Sequence, residues 1–273
     1  MTTGEPDGAN EDATRGAHYV QSLERGLAVI TAFGARTPEL TLSDVARETG
    51  LTRAAARRFL LTLVDLGYVR TDGKRFSLTA RVLELGYSYL SSMTLPEVAQ
   101  PHLEQLSGQV HESSSVSVLD GPDIVYVARV AASRIMTVTI NVGTRFPAYA
   151  TSMGHVLLAG LPADELDRYL KQTPLEQFTD YTLADPEALR SELEKVRSQG
   201  YSIVDQELEA GVRSLAVPVR GADGAVVAAV NISTHASRRS VDEIRTELVP
   251  PLQAAARGIE RDLSAAKPVT RLG

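Results

Sequence analysis

The 273-residue chain contains no cysteine, which excludes disulfide bonds, thiol catalysis and thiolate metal sites. It also lacks any apolar run close to the roughly 18 residues that a membrane-spanning helix requires. The polar, acidic residues 1–17 carry neither the basic region nor the apolar stretch of a secretory signal. These absences lead us to expect a cytoplasmic protein with no membrane among its partners.

Motifs for catalysis and metal binding are also missing. His111, His155 and His235 lie far apart in sequence, and neither an HxxxH nor an HExxH spacing occurs. A hydrolase interpretation would use Ser152, His155 and Asp205, but no GxSxG motif surrounds the serine, and His155 follows it by only one helical turn. We therefore predict that the protein is not an enzyme and that it binds no metal or cofactor.

The charge is distributed unevenly along the chain. The formal net charge is −6, yet residues 41–81 contain eight basic and only four acidic side chains. A basic segment in an acidic protein indicates one localised anionic partner such as nucleic acid, although a solvated charged surface fits the charge alone equally well.

Because domains commonly have roughly 100–200 residues, the length favours two domains.

Residues 18–79 show the pattern of a winged helix-turn-helix. We predict a first helix that begins at a Ser22 cap and ends at Gly34, a second helix over residues 42–49, and a third from the Thr52 cap to about Leu66. Two helices joined by a short glycine-containing turn form the helix-turn-helix motif. The Asp-Gly pair at 72–73, between two short β-prone runs, predicts a hairpin that would be the wing.

The third helix and the hairpin provide the candidate DNA contacts. Arg53 and Arg57 share a polar face opposite the apolar one, and the arginine fork pairs well with guanine in the major groove. A contact of either arginine with phosphate rather than with a base remains open. Lys74 and Arg75, at the hairpin tip, are assigned to phosphates. The full set of predicted DNA-binding residues is Thr52, Arg53, Ala54, Arg57, Arg58, Lys74 and Arg75.

The remaining sequence divides into a connecting helix and a second domain. Residues 80–95 are amphipathic and predict a linker helix, and residues 96–265 alternate strand and helix patterns typical of an α+β domain of antiparallel strands flanked by helices. We predict a disordered tail over residues 1–17 and a flexible tail over residues 266–273.

Several separated segments resemble the IclR family of bacterial regulators, over about residues 18–265. Ser22–Ile30 and Gly50–Leu63 resemble its first helix and recognition helix, and Gly143–Ala159 and Asp205–Ala216 resemble its effector domain. The resemblance implies a winged-helix domain, a linker helix used in dimerisation and a GAF-like effector-binding domain. It also implies a homodimer or a dimer of dimers on a near-palindromic double-stranded operator.

The resemblance also implies positions that bind the effector. Ser152 and Met153 would begin a helix, where free backbone N–H groups favour a carboxylate. Tyr149 and Tyr126 would line the space, with Arg134 and Arg145 as candidate counter-charges. The other matching positions are Asp205, Ser214, Asn231 and Ser233. His155 stands where the family usually has lysine or arginine, so any role in holding an anionic effector would depend on pH.

Within the family, the Ala-Ala-Ala-Arg-Arg run at 54–58 and the segment Arg145–Tyr149 are most similar to the branch controlling protocatechuate, p-hydroxybenzoate and β-ketoadipate catabolism. We therefore predict a sequence-specific DNA-binding transcriptional regulator that responds to a small carboxylic acid of this aromatic-acid class. Two alternatives remain. One is a regulator that senses a glyoxylate- or pyruvate-like acid, and the other is a ligand sensor or enzyme that does not bind DNA.

Overall fold

The structure is a computed structural model that describes residues 19–34, 37–85, 94–132 and 140–265. The chain divides into two units, residues 1–89 and residues 90–273, each of which has its own hydrophobic packing. The expected tails and positions 86–93 of the expected linker helix lie outside the described residues. None of the helices in the described ranges is long and apolar enough to cross a bilayer.

Three α-helices and a small sheet make up most of what the structure describes of the first unit, and a 3-10 turn, Ala80–Val82, follows the sheet. The helices are α1 (Gln21–Thr31), α2 (Leu42–Thr49) and α3 (Arg53–Asp65). The strands are β1 (Leu40–Thr41), β2 (Val69–Thr71) and β3 (Arg75–Leu78), which pair antiparallel in the order β1-β3-β2. The core of this unit includes the fully buried Val29, Val45 and Leu60.

The helix boundaries follow from local capping. The Thr41 hydroxyl accepts the backbone N–H of Asp44, whose carboxylate accepts the N–H of Thr41, so a capping box starts α2. Thr52 caps α3, as expected. The Ser22 cap was wrong, because α1 begins one residue earlier at Gln21, and Ser22 therefore lies inside the helix.

The hairpin after α3 has the predicted turn. The Asp72 carboxylate accepts the backbone N–H groups of Lys74 and Arg75 at 2.8 and 2.7 Å, and Gly73 has a positive φ of 94°. These hydrogen bonds hold the pKa of Asp72 below its usual value. The two basic residues thus lie at the tip of a hydrogen-bonded turn.

An antiparallel sheet, with six strands among the described residues, organises the second unit in the order β6-β5-β4-β9-β8-β7. The strands are β4 (Ser113–Asp120), β5 (Asp123–Val130), β6 (Arg145–Pro147), β7 (Ser202–Asp205), β8 (Val212–Arg220) and β9 (Val226–His235). The helices are α4 (Thr94–Val110), α5 (Ser152–Ala159), α6 (Ala163–Gln172), α7 (Pro186–Gln199) and α8 (Val249–Ala265), the last preceded by a π-helical turn, Ile244–Leu248.

Helices cover both faces of this sheet. Successive side chains along each strand point to opposite faces, and the apolar side chains on each face pack against helices. Leu215 and Val217 pack with α4 and α8, whereas Ala216, between them, packs with α5. The predicted α+β class with a winged helix is confirmed. Strand β6 was not predicted. The sequence of residues 135–141 also predicts a strand, but most of these residues lie outside the described ranges.

Candidate DNA-binding face and effector cavity

The predicted recognition helix separates its faces cleanly. Arg53, Ala54, Arg57 and Arg58 are exposed on α3, whereas Leu60 on its other side is fully buried. Within the part of the chain that the structure describes, no hydrogen bond or ion pair engages these three guanidinium groups. They are therefore available for an external anion, and the small Ala54 keeps the surface beside them slim.

The basic residues near the wing differ in their freedom. Lys74 and Arg75 are exposed at the tip, and Arg75 lies 3.8 Å from the carboxylate of Glu39 in an exposed pair that contributes little energy. Arg81 is engaged within the unit, because its guanidinium donates to the Leu66 carbonyl at 2.8 Å and lies over the Tyr68 ring. Part of the positive charge of residues 41–81 thus belongs to Arg81, whose guanidinium makes its contacts within the first unit.

A small cavity in the second unit lies between the start of α5, strands β8 and β9, and the loop that joins β7 to β8. Its volume is about 30 Å³, which is room for roughly two water molecules. Residues from the sequence-based effector set that line it are Tyr126, Ser152, Met153, Ser214, Asn231 and Ser233. The structure therefore brings together residues that are up to 107 positions apart in sequence (126 to 233).

The cavity contains an unusual concentration of unpartnered polar atoms. Buried polar side chains in folded proteins nearly always have hydrogen-bond partners. Among the described residues, the buried side-chain atoms without one are Glu112 Oε2, Ser117 Oγ, Ser152 Oγ, Glu207 Oε2 and Asn231 Oδ1. Three of these residues, Ser152, Glu207 and Asn231, line the cavity. This clustering offers a polar ligand, or ordered water, several hydrogen-bonding groups in one small space.

Two other predicted residues lie outside the cavity lining. The Tyr149 hydroxyl donates to the carbonyl of Glu176 at 2.9 Å and accepts its N–H at 2.7 Å. Asp205 binds Arg213 through two hydrogen bonds of 2.8 and 2.7 Å. Because side chains alternate along β7, it is Val204 rather than Asp205 that lines the cavity.

Of the two candidate counter-charges, Arg145 does not contribute to the cavity lining. Arg145 forms ion pairs with Asp120 and Asp123 at the exposed edge where β5 meets β6, and these partners raise its pKa. Arg134 lies outside the described residues. The expected counter-charge role of Arg145 is therefore wrong, because its guanidinium is already committed to two surface carboxylates.

His155 is buried beside the cavity but does not line it. Its Nε2 lies 2.6 Å from the carbonyl oxygen of Tyr149, and its Nδ1 lies 3.4 Å from the Ser202 hydroxyl. Because a carbonyl can only accept, Nε2 must carry the hydrogen and Nδ1 accepts from Ser202. Burial lowers the pKa of His155, so the ring is neutral near pH 7 and offers an effector no positive charge.

Glu207 is the functional candidate that the sequence did not single out. It is 8% exposed, lines the cavity, and its Oε2 lies 3.9 Å from His155 Nε2. Burial raises its pKa to about 7. The residue lies within the segment Asp205–Ala216 that carried the family resemblance, but only the fold shows its burial and its unpartnered oxygen.

Ser152, His155 and Asp205 do not assemble a hydrolytic centre. The Ser152 hydroxyl has no hydrogen-bond partner in the described ranges, the His155 nitrogens face Tyr149 and Ser202, and Asp205 is held by Arg213. A serine nucleophile needs a base within hydrogen-bond reach. The described ranges also hold no group of three or more His, Asp or Glu side chains suited to a metal ion.

An exposed basic recognition helix in one unit and a polar cavity in the other define a DNA-binding regulator with a ligand-binding domain. Two family descriptions match the chain. The IclR helix-turn-helix domain matches residues 22–73, and the bacterial transcriptional regulator IclR C-terminal domain matches residues 87–261. The chain therefore belongs to the IclR family of transcriptional regulators.

Individual proteins and solved structures are also similar to this chain. The Pca regulon regulatory protein of Pseudomonas putida is 45% identical over 258 residues, covering 94% of this chain and 85% of that protein. The crystal structure of RHA06195 from Rhodococcus sp. RHA1 is 62% identical, with a TM-score of 0.83, over 91% of this chain and all of that one. An IclR homolog from Microbacterium hydrocarbonoxydans, complexed with 4-hydroxybenzoate, is 29% identical with a TM-score of 0.80, over 90% of this chain and 100% of that one.

Proposed function

We propose that this IclR-family protein regulates genes of aromatic-acid catabolism by binding operator DNA through its winged helix and a small carboxylic acid in its cavity. The observation that carries the ligand part is the clustering of unpartnered Ser152, Glu207 and Asn231 atoms in one small cavity. The Pca regulon regulatory protein and the homolog complexed with 4-hydroxybenzoate support the aromatic class. The acid is therefore of the protocatechuate, p-hydroxybenzoate or β-ketoadipate class.

The acid's carboxylate is assigned to the start of α5. The Thr151 hydroxyl caps this helix by accepting the N–H of Gly154, which leaves the N–H groups of Ser152 and Met153 to bind an anion. The Ser152 hydroxyl adds a further donor at the same end. Ser214, Asn231 and Ser233 then provide polar contacts from strands β8 and β9.

The DNA-binding role is assigned to the predicted residues on α3 and the wing. Arg53 and Arg57 contact base edges or the adjacent phosphates, with Thr52, Ala54 and Arg58 beside them, and Lys74 and Arg75 contact phosphates. The domain limits that accompany this proposal are those expected from the sequence, with the winged helix over residues 18–79 and the effector domain over residues 96–265.

We also propose a homodimer or a dimer of dimers, acting in the cytoplasm without catalysis. Support for assembly comes from apolar side chains left exposed in the first unit, where Leu23, Leu27 and Leu83 are exposed by 62%, 51% and 74%. Leu23 and Leu27 lie one turn apart on α1, and contiguous exposed apolar side chains are typical of an interaction face. Protein two-fold symmetry would match a near-palindromic operator.

Binding of an acid to the native state is expected to raise the melting temperature. A ligand at one hundred times its Kd stabilises the protein by about 2.7 kcal/mol, because it binds the folded state alone. A thermal-shift screen of protocatechuate, p-hydroxybenzoate, β-ketoadipate and glyoxylate tests this. If none of the four raises the melting temperature, the assignment to aromatic-acid catabolism loses its support.

One observation favours the smaller acids as a second candidate. The cavity volume of about 30 Å³ is closer to the size of glyoxylate or pyruvate than to that of a benzoate ring. The same screen, with pyruvate added, separates the two classes, because stabilisation by glyoxylate or pyruvate without any response to the three larger acids would replace the aromatic assignment.

Operator binding is expected to weaken steeply with salt. Six to ten phosphate contacts lower the affinity by about 10³- to 10⁵-fold between 50 and 200 mM salt, because condensed counterions are released. Fluorescence anisotropy with the protein's own upstream region, compared with a scrambled duplex of equal length, measures both salt dependence and specificity. Equal binding to the two duplexes at every salt concentration would contradict sequence-specific recognition of this region, and no binding to either duplex would favour the alternative of a sensor that does not bind DNA.

A further inference from the structure

The unpartnered atoms of the cavity are mainly hydrogen-bond acceptors. The Asn231 side-chain amide donates to the Ser233 hydroxyl at 3.1 Å, which leaves Asn231 Oδ1 without a partner. Glu207 Oε2 is also without one, and it can only accept when the carboxylate is ionised. A ligand that satisfies Asn231 Oδ1 and the ionised form of Glu207 must therefore donate hydrogen bonds, and a carboxylate cannot do so.

The groups around Glu207 do not supply a positive charge. His155 is neutral and its Nε2–H points to the carbonyl of Tyr149, whereas Arg213 is held by Asp205. Burial is the main cause of the raised pKa of Glu207. The negative charges of Glu192 and Asp205 add to it, and a backbone hydrogen bond from Leu183 opposes it. In the described ranges, Glu207 thus lacks a cationic partner and depends on the ligand for a further donor.

We propose that Glu207 accepts a hydrogen bond from a hydroxyl group of the bound acid, so that the cavity selects hydroxylated aromatic acids over keto-diacids and unsubstituted benzoate. This inference rests on the proposed function, because it requires an acid whose carboxylate lies at the start of α5. A second carboxylate, as in a keto-diacid, would face the ionised Glu207 and be repelled. A phenolic hydroxyl would instead complete its hydrogen bonding.

The proposal couples binding to a proton. Before a ligand binds, the pKa of Glu207 in the folded protein is about 7. The side chain is therefore mostly protonated at pH 6 and mostly ionised at pH 8. A ligand hydroxyl that donates to the carboxylate stabilises the ionised form and lowers that pKa, so binding below pH 7 releases a proton. Affinity for a hydroxy acid should rise by up to tenfold per pH unit below pH 7 and level off above it. Affinity for a keto-diacid should fall above pH 7.

The test compares 4-hydroxybenzoate with benzoate by isothermal titration calorimetry on the full chain at pH 6 and pH 8. We expect the unmodified protein to bind 4-hydroxybenzoate more tightly than benzoate, with a preference that grows between pH 6 and pH 8. In Glu207→Gln, a neutral hydrogen bond replaces a charge-assisted one. Affinity for 4-hydroxybenzoate at pH 8 should then fall by about fivefold, while benzoate is unaffected and the pH dependence disappears.

Glu112→Gln is the matched control. Glu112 is also a buried glutamate with an unpartnered oxygen, but it bonds to Thr234 and lies near Arg238, away from the cavity lining. It should leave both affinities unchanged. The two pH profiles of the unmodified protein test the same point without any substitution, should Glu207→Gln fail to fold.

Each contrary result leads to a different conclusion. Equal losses for 4-hydroxybenzoate and benzoate in Glu207→Gln would make Glu207 a structural residue and overturn this inference. Tighter binding of β-ketoadipate than of 4-hydroxybenzoate at pH 8 would overturn the selectivity. In both cases the acids still bind, so the proposed function stands. Failure of every acid to bind would overturn the proposed function and this inference with it.

Discussion

Replacing Gly154 with alanine is expected to destabilise the second unit by more than about 3 kcal/mol, because the added methyl group has no space. A Cβ at this position would lie 1.9 Å from the carbonyl oxygen of Ala148 and 2.4 Å from its carbonyl carbon. Both are backbone atoms, and all eight residues of α5 are buried, so the helix cannot shift outward without opening the core. Chemical denaturation followed by far-ultraviolet circular dichroism measures the loss.

Gly108→Ala provides the comparison. Gly108 is an exposed glycine of α4, and no atom lies within 4 Å of the position that a Cβ would occupy there. Alanine at this position should therefore be neutral or stabilise the helix by up to about 1 kcal/mol. If Gly154→Ala denatured at the same concentration as Gly108→Ala, the close approach of α5 to Ala148 would not exist in solution. A selective loss in Gly154→Ala, with acid binding lost in parallel, would tie the packing of α5 to the effector cavity.

Arg57→Ala is expected to lower specific operator affinity by about 100-fold or more in a dimer. A good bidentate base contact contributes roughly 1–3 kcal/mol of discrimination, and two-fold symmetry would remove two such contacts at once. The fold should be unaffected, because Arg57 is exposed and no hydrogen bond from its guanidinium occurs among the described residues. Anisotropy titrations with operator and scrambled duplexes measure the effect, and thermal unfolding confirms the fold.

Arg47→Ala removes the same charge from a neighbouring helix. Arg47 is highly exposed on α2 and pairs with Asp44 at 3.0 Å and with Glu48 at 3.5 Å, so its charge is already neutralised locally. It should change operator affinity by only a few fold. Equal losses for Arg47→Ala and Arg57→Ala, on operator and scrambled duplex alike, would show that Arg57 contributes charge rather than base recognition.

The winged helix was predictable because its determinants are short-range. The Thr41 cap, the Asp-Gly turn at 72–73 and the exposed face of Arg53 and Arg57 each depend on residues within a few positions of one another. Ser22 shows where this approach fails. A serine before an apolar helical pattern suggests a cap, yet the observed N-cap is Val20, two residues earlier, a displacement that local preference does not resolve.

The cavity was only partly predictable, because it depends on strand register and burial. Ser152 and Asn231 were expected from the family resemblance and do line it. Asp205 shares its strand with Val204, and the alternation of β7 sends the two side chains to opposite faces. Glu207 is a candidate because it is buried and has no cationic partner among the described residues. Its burial is a property of the whole unit rather than of any sequence motif.

The size of the cavity has a kinetic consequence. A space of about 30 Å³ is small for a benzoate ring, so the proposed binding of an aromatic acid would require the surrounding elements to move apart. The loop from β7 to β8 is the element most directly restrained, because the hydroxyls of Thr179 and Thr182 donate to the carbonyls of Gln206 and Glu207. Under the proposed function, association with an aromatic acid would then depend on how readily this loop moves, which predicts association slower than the diffusion limit.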